Sequence, residues 1–388
     1  MRDIQQWAET APERRTNLFA GLAEARFSGD PPSTVEPSLA VFEKLRREVV
    51  PQEELADACW RVWQWAEEAS LPETAAHFAE AAALLAPESP VYANDAGWAC
   101  RRVALYDRSA AWYQRALRLA VRERSRHEAV RALLGHGAVL KEAGQPAEAR
   151  AFYDRASRRA ARTGRRRQAA VARHYIFALE AEHGSFESGV REARETLNLY
   201  PVYDRRVPYL VHDYAFFLIR HRLFSYALPL LEKLVPAISK PDEQVLVLSN
   251  LAWAAAGLGR GEQYRQAGER AVQLIDRYPE YGAAALIHLA HAARLTGDRD
   301  AARRHAAAAE QLAVSRGEEA LAVEAAELVN AIAARIPPER HAAAEDAAAL
   351  ESLQKRFAAR LRRWLAPDRR GSGASDRTGP ADRERRSL

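Results

Sequence analysis

Cysteine is nearly absent: Cys59 and Cys100 are the only two in 388 residues. Neither a disulfide framework nor a pair of CxxC hooks for structural zinc can be built from them, so a reducing compartment is the simplest setting. Glycine and proline, at 19 each, are too sparse for a turn-rich all-β fold. Long apolar runs are missing too. No stretch of about 18 uncharged apolar residues occurs, and the opening MRDIQQWAET carries charge where a secretory signal needs an apolar core. The expectation is a cytoplasmic protein without a membrane span. Catalytic signatures are equally scarce: there is no G-x-S-x-G, no H-E-x-x-H and no G-x-x-x-x-G-K-[ST]. Gly257-Leu-Gly-Arg-Gly261 has no strand before it and reads as a helix-to-helix turn. Adjacent carboxylates such as Glu67 with Glu68 splay apart on a helix and read as a solvated face. Neither an enzyme nor a cofactor is expected.

What remains is rich in helix formers. Hydrophobic residues make up 48% of the chain and alanine is frequent. Basic residues number 57 against 52 acidic, a formal charge of +5 that permits a nucleic-acid or acidic partner without requiring one. Internal similarity supplies the organisation: Gly97, Tyr113 and Ala116 recur as Gly137, Tyr153 and Ala156, each offset by 40 residues. The second copy is the clearest, with Leu133, Gly137 and Leu140 on one helix, Gly144 at the turn, and Ala149, Tyr153 and Ala156 on the next. Small residues let two antiparallel helices approach closely while the tyrosine fills the neighbouring space. Carrying the turn forward puts Gly144, Gly184, Arg222, Gly259 and Gly297 in equivalent slots.

This pattern resembles the tetratricopeptide repeat, a small residue in the first helix facing Ala-x-x-x-aromatic-x-x-Ala in the second. The long units, about 37 to 40 residues, resemble those of bacterial sensor proteins of the Rap-phosphatase and MalT-activator kinds. The resemblance implies an all-α, right-handed superhelical solenoid of antiparallel helix pairs. Its expected organisation is an N-terminal helical segment over 1–50, about seven helix pairs over 51–315, C-terminal capping helices over 316–366 and a disordered tail over 367–388. The apolar residues Leu350, Leu353, Phe357, Leu361 and Trp364 recur at helical spacing on the final helix, as a cap or a dimerisation helix requires.

In such a fold the first helices line the concave side. Following the register, the residues that face the groove are Asn94, Trp98 and Arg101; His174; Tyr209, His212 and Phe216; Ser249 and Trp253; and His291 and Arg294. Aromatics flanked by Asn, His and Arg suit a peptide or protein segment, the rings giving rigid apolar area and the polar tips bonding to backbone or carboxylates. The alternative is that rings such as Phe216 and Trp253 only pack between helices. Some tetratricopeptide proteins grip a C-terminal carboxylate through Lys and Asn; only Asn94 stands in a comparable place and the companion lysines are missing, so that clamp is not expected. His288 and His291, three apart, with His305 on the next helix, do not by themselves define a metal site. Arg158, Arg159, Arg162, Arg165, Arg166 and Arg167 form a basic run that could contact phosphates, although no aromatic for base stacking lies within it. Three functions are thus ordered: an interaction scaffold or adaptor, a peptide-responsive regulatory sensor, and nucleic-acid binding through the arginine run.

Overall fold

The computed structural model describes residues 41, 44, 50–69, 71–238, 240–336 and 347–366. Most of the N-terminal segment expected over 1–50 and the tail expected over 367–388 lie outside the described residues. Sixteen α-helices and no strand occur among the described residues. They run in tandem as α1 (Gln52–Glu68), α2 (Pro72–Leu85), α3 (Pro90–Arg102), α4 (Tyr106–Arg122), α5 (Arg126–Glu142), α6 (Pro146–Arg162), α7 (Arg166–His183) and α8 (Phe186–Leu199). These are followed by α9 (Val207–Arg220), α10 (Phe224–Leu234), α11 (Pro241–Gly257), α12 (Gly261–Arg277), α13 (Gly282–Thr296), α14 (Arg299–Arg316), α15 (Glu319–Ala333) and α16 (Ala347–Leu365).

Proline opens several of these helices, at Pro72, Pro90, Pro146 and Pro241, where its missing N–H costs nothing and its φ is already helical. Ser89, at the start of the helix that Pro90 opens, Ser185 and Asp298 act as N-caps through their side-chain oxygens, which accept from Tyr92, Ser188 and Ala301. The turns after α3, α5, α9, α11 and α13 are left-handed at Ala104, Gly144, Arg222, Gly259 and Gly297. Gly184 is the exception in its slot, ending α7 with extended backbone at φ −88° and ψ 174°.

The chain divides into two compact units, residues 1–139 and 140–388. In the first, α1 to α4 pack each on the next. Tyr113 of α4 fills the space that glycine leaves: a Cβ on Gly97 would lie 3.0 Å from its ring, and one on Gly135 of α5 only 2.1 Å away. Ser109 Oγ donates to the Gly97 carbonyl at 2.6 Å and Ala116 is fully buried, so the motif read from sequence is the contact that closes the α3–α4 pair.

In the second unit, successive helices again pair, and the first helices α7, α9, α11 and α13 also touch in a row. Ala149, Tyr153 and Ala156 of α6 are completely buried, with Tyr153 stacked on Tyr175 of α7 at 5.0 Å. Gly189 of α8 plays the same part for Phe217, whose ring stands 2.3 Å from where a Cβ would be. Helix α15 follows α14 and packs on it and on α13, whereas α16 turns back against α8, α9 and α10. Its stripe of Leu350, Leu353, Phe357 and Leu361 is buried there, with Phe357 stacked on Tyr214 at 4.0 Å between centroids. Arg360 donates to the carbonyls of Leu197 and Tyr200 at the end of α8, satisfying groups that a helix C-terminus leaves open.

Candidate functional site

The first helices are joined by side-chain hydrogen bonds recurring at the repeat spacing. In the first unit, Trp60 of α1 donates to Asp95 of α3 at 2.8 Å, and Asp95 accepts from Arg131 of α5 at 2.6 Å. Asn94 donates to the Glu128 backbone and carboxylate, and Arg131 also meets Glu128 at 2.9 Å. Asn94, Asp95, Glu128 and Arg131 are all buried. Burial raises the Asp95 carboxyl above its ordinary range and Arg131 opposes that rise. In the second unit, His174 of α7 bonds Asp213 of α9 at 2.9 Å, His212 bonds Asn250 of α11 at 3.0 Å, and Ser249 bonds His288 of α13 at 3.2 Å. Burial opposes ionisation of Asp213, but hydrogen bonds from His174 and His212 outweigh it and hold the carboxyl far below the carboxylate range.

Four residues expected to face a groove are therefore occupied within the fold. Asn94, His174 and Ser249 are 1%, 4% and 0% exposed, and half-buried His212 bridges Asp213 and Asn250. The physical reason is that a polar side chain at the seam of two first helices is desolvated, and a partner on the next helix satisfies it more completely than water does. Their partners Glu128, Asp213 and Asn250, and the neighbouring Asp95–Arg131 pair, escaped notice in the sequence. A polar residue repeating at the 34- to 39-residue offset of these bonds was the available signal.

The remaining groove residues divide between the units. In the first, Trp98 is half-buried, its indole donating to Glu67 at 3.3 Å with the Arg101 guanidinium 4.8 Å from its ring. In the second, the structure assembles an aromatic and imidazole cluster across three first helices. His291 stacks on Trp253 at 4.8 Å with 7° between planes, His288 lies 5.5 Å from Trp253, and Phe216 lies 5.2 Å from His288 and 6.5 Å from Trp253. Trp253 is buried, while Phe216, His288 and His291 are half-buried. Both imidazoles are neutral at neutral pH: burial, then Arg294 and Arg220, pushes His291 down to about 3, and burial, then His291 and His212, lowers His288 well below its ordinary value.

Two arginines border this cluster, and an acid lies near one of them. Arg220 at the end of α9 donates to the Glu182 carbonyl at 3.1 Å, and Arg294 at the end of α13 donates to the Ile336 carbonyl at 2.7 Å. Glu324 of α15 lies within electrostatic reach of Arg220, Glu182 and Lys141. Tyr209, 38% exposed, donates to Glu243 of α11 at 2.8 Å. No group of three His, Cys, Asp or Glu residues able to hold a metal occurs among the described residues.

The arginine run lies where α6 ends and α7 begins. Arg158, Arg162 and Arg166 are exposed, and Arg159, Arg165 and Arg167 are half-buried. Arg166 donates to the Asn198 carbonyl at 3.2 Å, and Arg167 meets Asp204 at 2.7 Å.

Tandem antiparallel helix pairs, closed by glycine and alanine against a buried aromatic, define a tetratricopeptide-like all-α protein. Solved structures similar to it include the Rap conjugation gene regulator of the plasmid pLS20 in complex with the Phr* peptide. That likeness has 14% identity and a TM-score of 0.40, and covers 91% of this chain and 93% of that one. A Rap protein complexed with Competence and Sporulation Factor is similar at 12% identity and a TM-score of 0.36, covering 92% and 98%. The TPR2AB domain of yeast Sti1, in complex with pHSP90, is similar at 16% identity and a TM-score of 0.28, covering 72% and 99%. No protein-family model matches the chain, and no curated protein matches it. No helix among the described residues is long and apolar enough to cross a membrane.

Proposed function

We propose that the chain is a peptide- or protein-segment-binding scaffold whose recognition surface is the first-helix face of the second unit, centred on Phe216, Trp253, His288 and His291. The observation that carries this reading is the cluster itself: four rings from three successive first helices meet on one face, and three of them are half-buried, with Arg220 and Arg294 alongside. Rings held by their neighbours give apolar contact area at small entropic cost, and guanidinium groups beside them attract a carboxylate. A segment carrying an apolar or aromatic anchor a few residues from an acidic side chain has the matching chemistry.

Selection from a displayed random peptide library against the full chain tests this. The expected result is enrichment of peptides pairing an aromatic or large apolar residue with Asp or Glu, and at least tenfold weaker binding to a Phe216→Ala variant whose circular dichroism and melting are close to those of the parent. Enriched peptides that bind the parent and this variant equally would place recognition elsewhere.

A further inference from the structure

The arginine run does not stand alone in the fold. Helix α16 brings Arg356, Arg360 and Arg363, spaced four and three residues apart on one face, against the end of α8. Arg356 donates to the Asn198 side chain at 2.5 Å while Arg166 donates to the backbone carbonyl of the same residue, so two arginines 190 positions apart in sequence meet at Asn198. Arg205, exposed in the connection from α8 to α9, extends the surface beside Arg167, while its neighbour Arg206 lies over the Tyr175 ring. We infer that this composite basic surface, built from the α6–α7 turn, the connection from α8 to α9, and α16, binds single-stranded nucleic acid through its phosphates.

Three observations favour that occupant. Positive charge is in excess: Arg205 is pushed down to about 10 by burial and then by Arg167 and Arg206, and Arg360 is lowered by burial and then by Arg356 and Arg363. Asp204, the nearby acid, is 8% exposed and already holds Arg167 and the Arg206 backbone N–H. The surface also has no apolar centre, because Leu350, Leu353, Phe357 and Leu361 of α16 are all turned into the fold. A protein partner draws its affinity from a desolvated apolar core and a lipid surface from an inserted apolar face, whereas a polyanion binds by releasing counterions from its phosphates. Finally, Tyr203 stands 49% exposed in the same connection as Arg205 and Arg206. Its ring supplies the stacking platform missing from the arginine run itself, and unpaired bases can use it.

Fluorescence anisotropy of the full chain with labelled single-stranded RNA and DNA of mixed sequence, and with the corresponding duplex, tests the proposal. The expected result is tighter binding of single strands than of duplex, with affinity falling steeply as salt rises. Arg158→Glu, Arg162→Glu and Arg363→Glu together should weaken binding by more than tenfold. The milder triple replacement by Gln should flatten the logarithmic salt slope by about two, at ~0.7 per lost single-strand phosphate contact. Tyr203→Ala should cost roughly tenfold on stacking grounds, and Phe216→Ala, in the separate ring cluster of α9, α11 and α13, should leave binding unchanged. Absence of binding at low salt, equal affinity for the duplex, or full binding by both triple variants would overturn the proposal without touching the peptide reading.

Discussion

Ala104 and Arg124 occupy left-handed backbone at φ 55° and 58°, a region in which a Cβ is crowded by the neighbouring carbonyl. At the equivalent turn of the next pair the chain uses Gly144, at φ 73°. Ala104→Gly therefore removes steric strain of about 1–2 kcal/mol, offset by the greater flexibility of glycine in the unfolded chain, about 0.5–1 kcal/mol. A net gain of roughly 0.5–1 kcal/mol in urea unfolding is expected. Gly135 gives the opposite lesson. In the interior of α5 a change to alanine would ordinarily gain about 1 kcal/mol in helix propensity. Here the new methyl would fall 2.1 Å from the Tyr113 ring, in a core with no slack. Gly135→Ala is expected to destabilise by about 1–3 kcal/mol, the range for overpacked cores, and a double variant with Tyr113→Leu should recover part of that loss.

At the scale of the element, α16 is the clearest case of tertiary structure acting beyond the repeat. It buries one stripe on α8, α9 and α10, and its Phe357 is fully buried against Tyr214. Phe357→Ala should cost about 3–5 kcal/mol, the range for emptying a buried aromatic site, and should increase hydrogen exchange in α8 and α10 as well as in α16. Protection lost in α16 alone would mean that the helix covers its neighbours without supporting them. The sequence shows why such a helix forms, since apolar residues at a 3.6-residue period need a cover. It does not show which cover, because one stripe fits many surfaces. The helix pairs were legible for a stronger reason: Gly97 with Tyr113, and Ala149 with Tyr153 and Ala156, make their contacts within one unit or its neighbour. Candidate site residues were legible only as positions on the first helices. Whether Asn94 or His174 faces water or the next helix depends on the polar residue opposite, Glu128 or Asp213, and on the desolvation at their seam.

For the molecule as a whole, the half-buried histidines of the ring cluster make stability depend on pH in a definite direction. His291 has its folded-state value pushed down to about 3, and His288 is lowered as well, against an unfolded value near 6.5. Between those values the unfolded chain binds protons that the folded chain refuses, so stability is greatest above about pH 6.5 and declines as pH falls. For His291 each unit of pH in that window costs roughly 1.4 kcal/mol, hence about 2 kcal/mol between pH 6.5 and 5. Asp213 adds a separate loss lower down: its carboxyl is depressed in the fold, so its contribution is intact above about pH 4 and fades only in stronger acid. Guanidinium denaturation of the parent and of His291→Gln at pH 7.5 and pH 5 distinguishes the two origins. The glutamine variant should be less stable at pH 7.5, having lost its stacking on Trp253, yet should lose about 2 kcal/mol less than the parent on acidification. An identical acid loss in both proteins would mean that water reaches His291, and with it the face on which peptide binding is proposed.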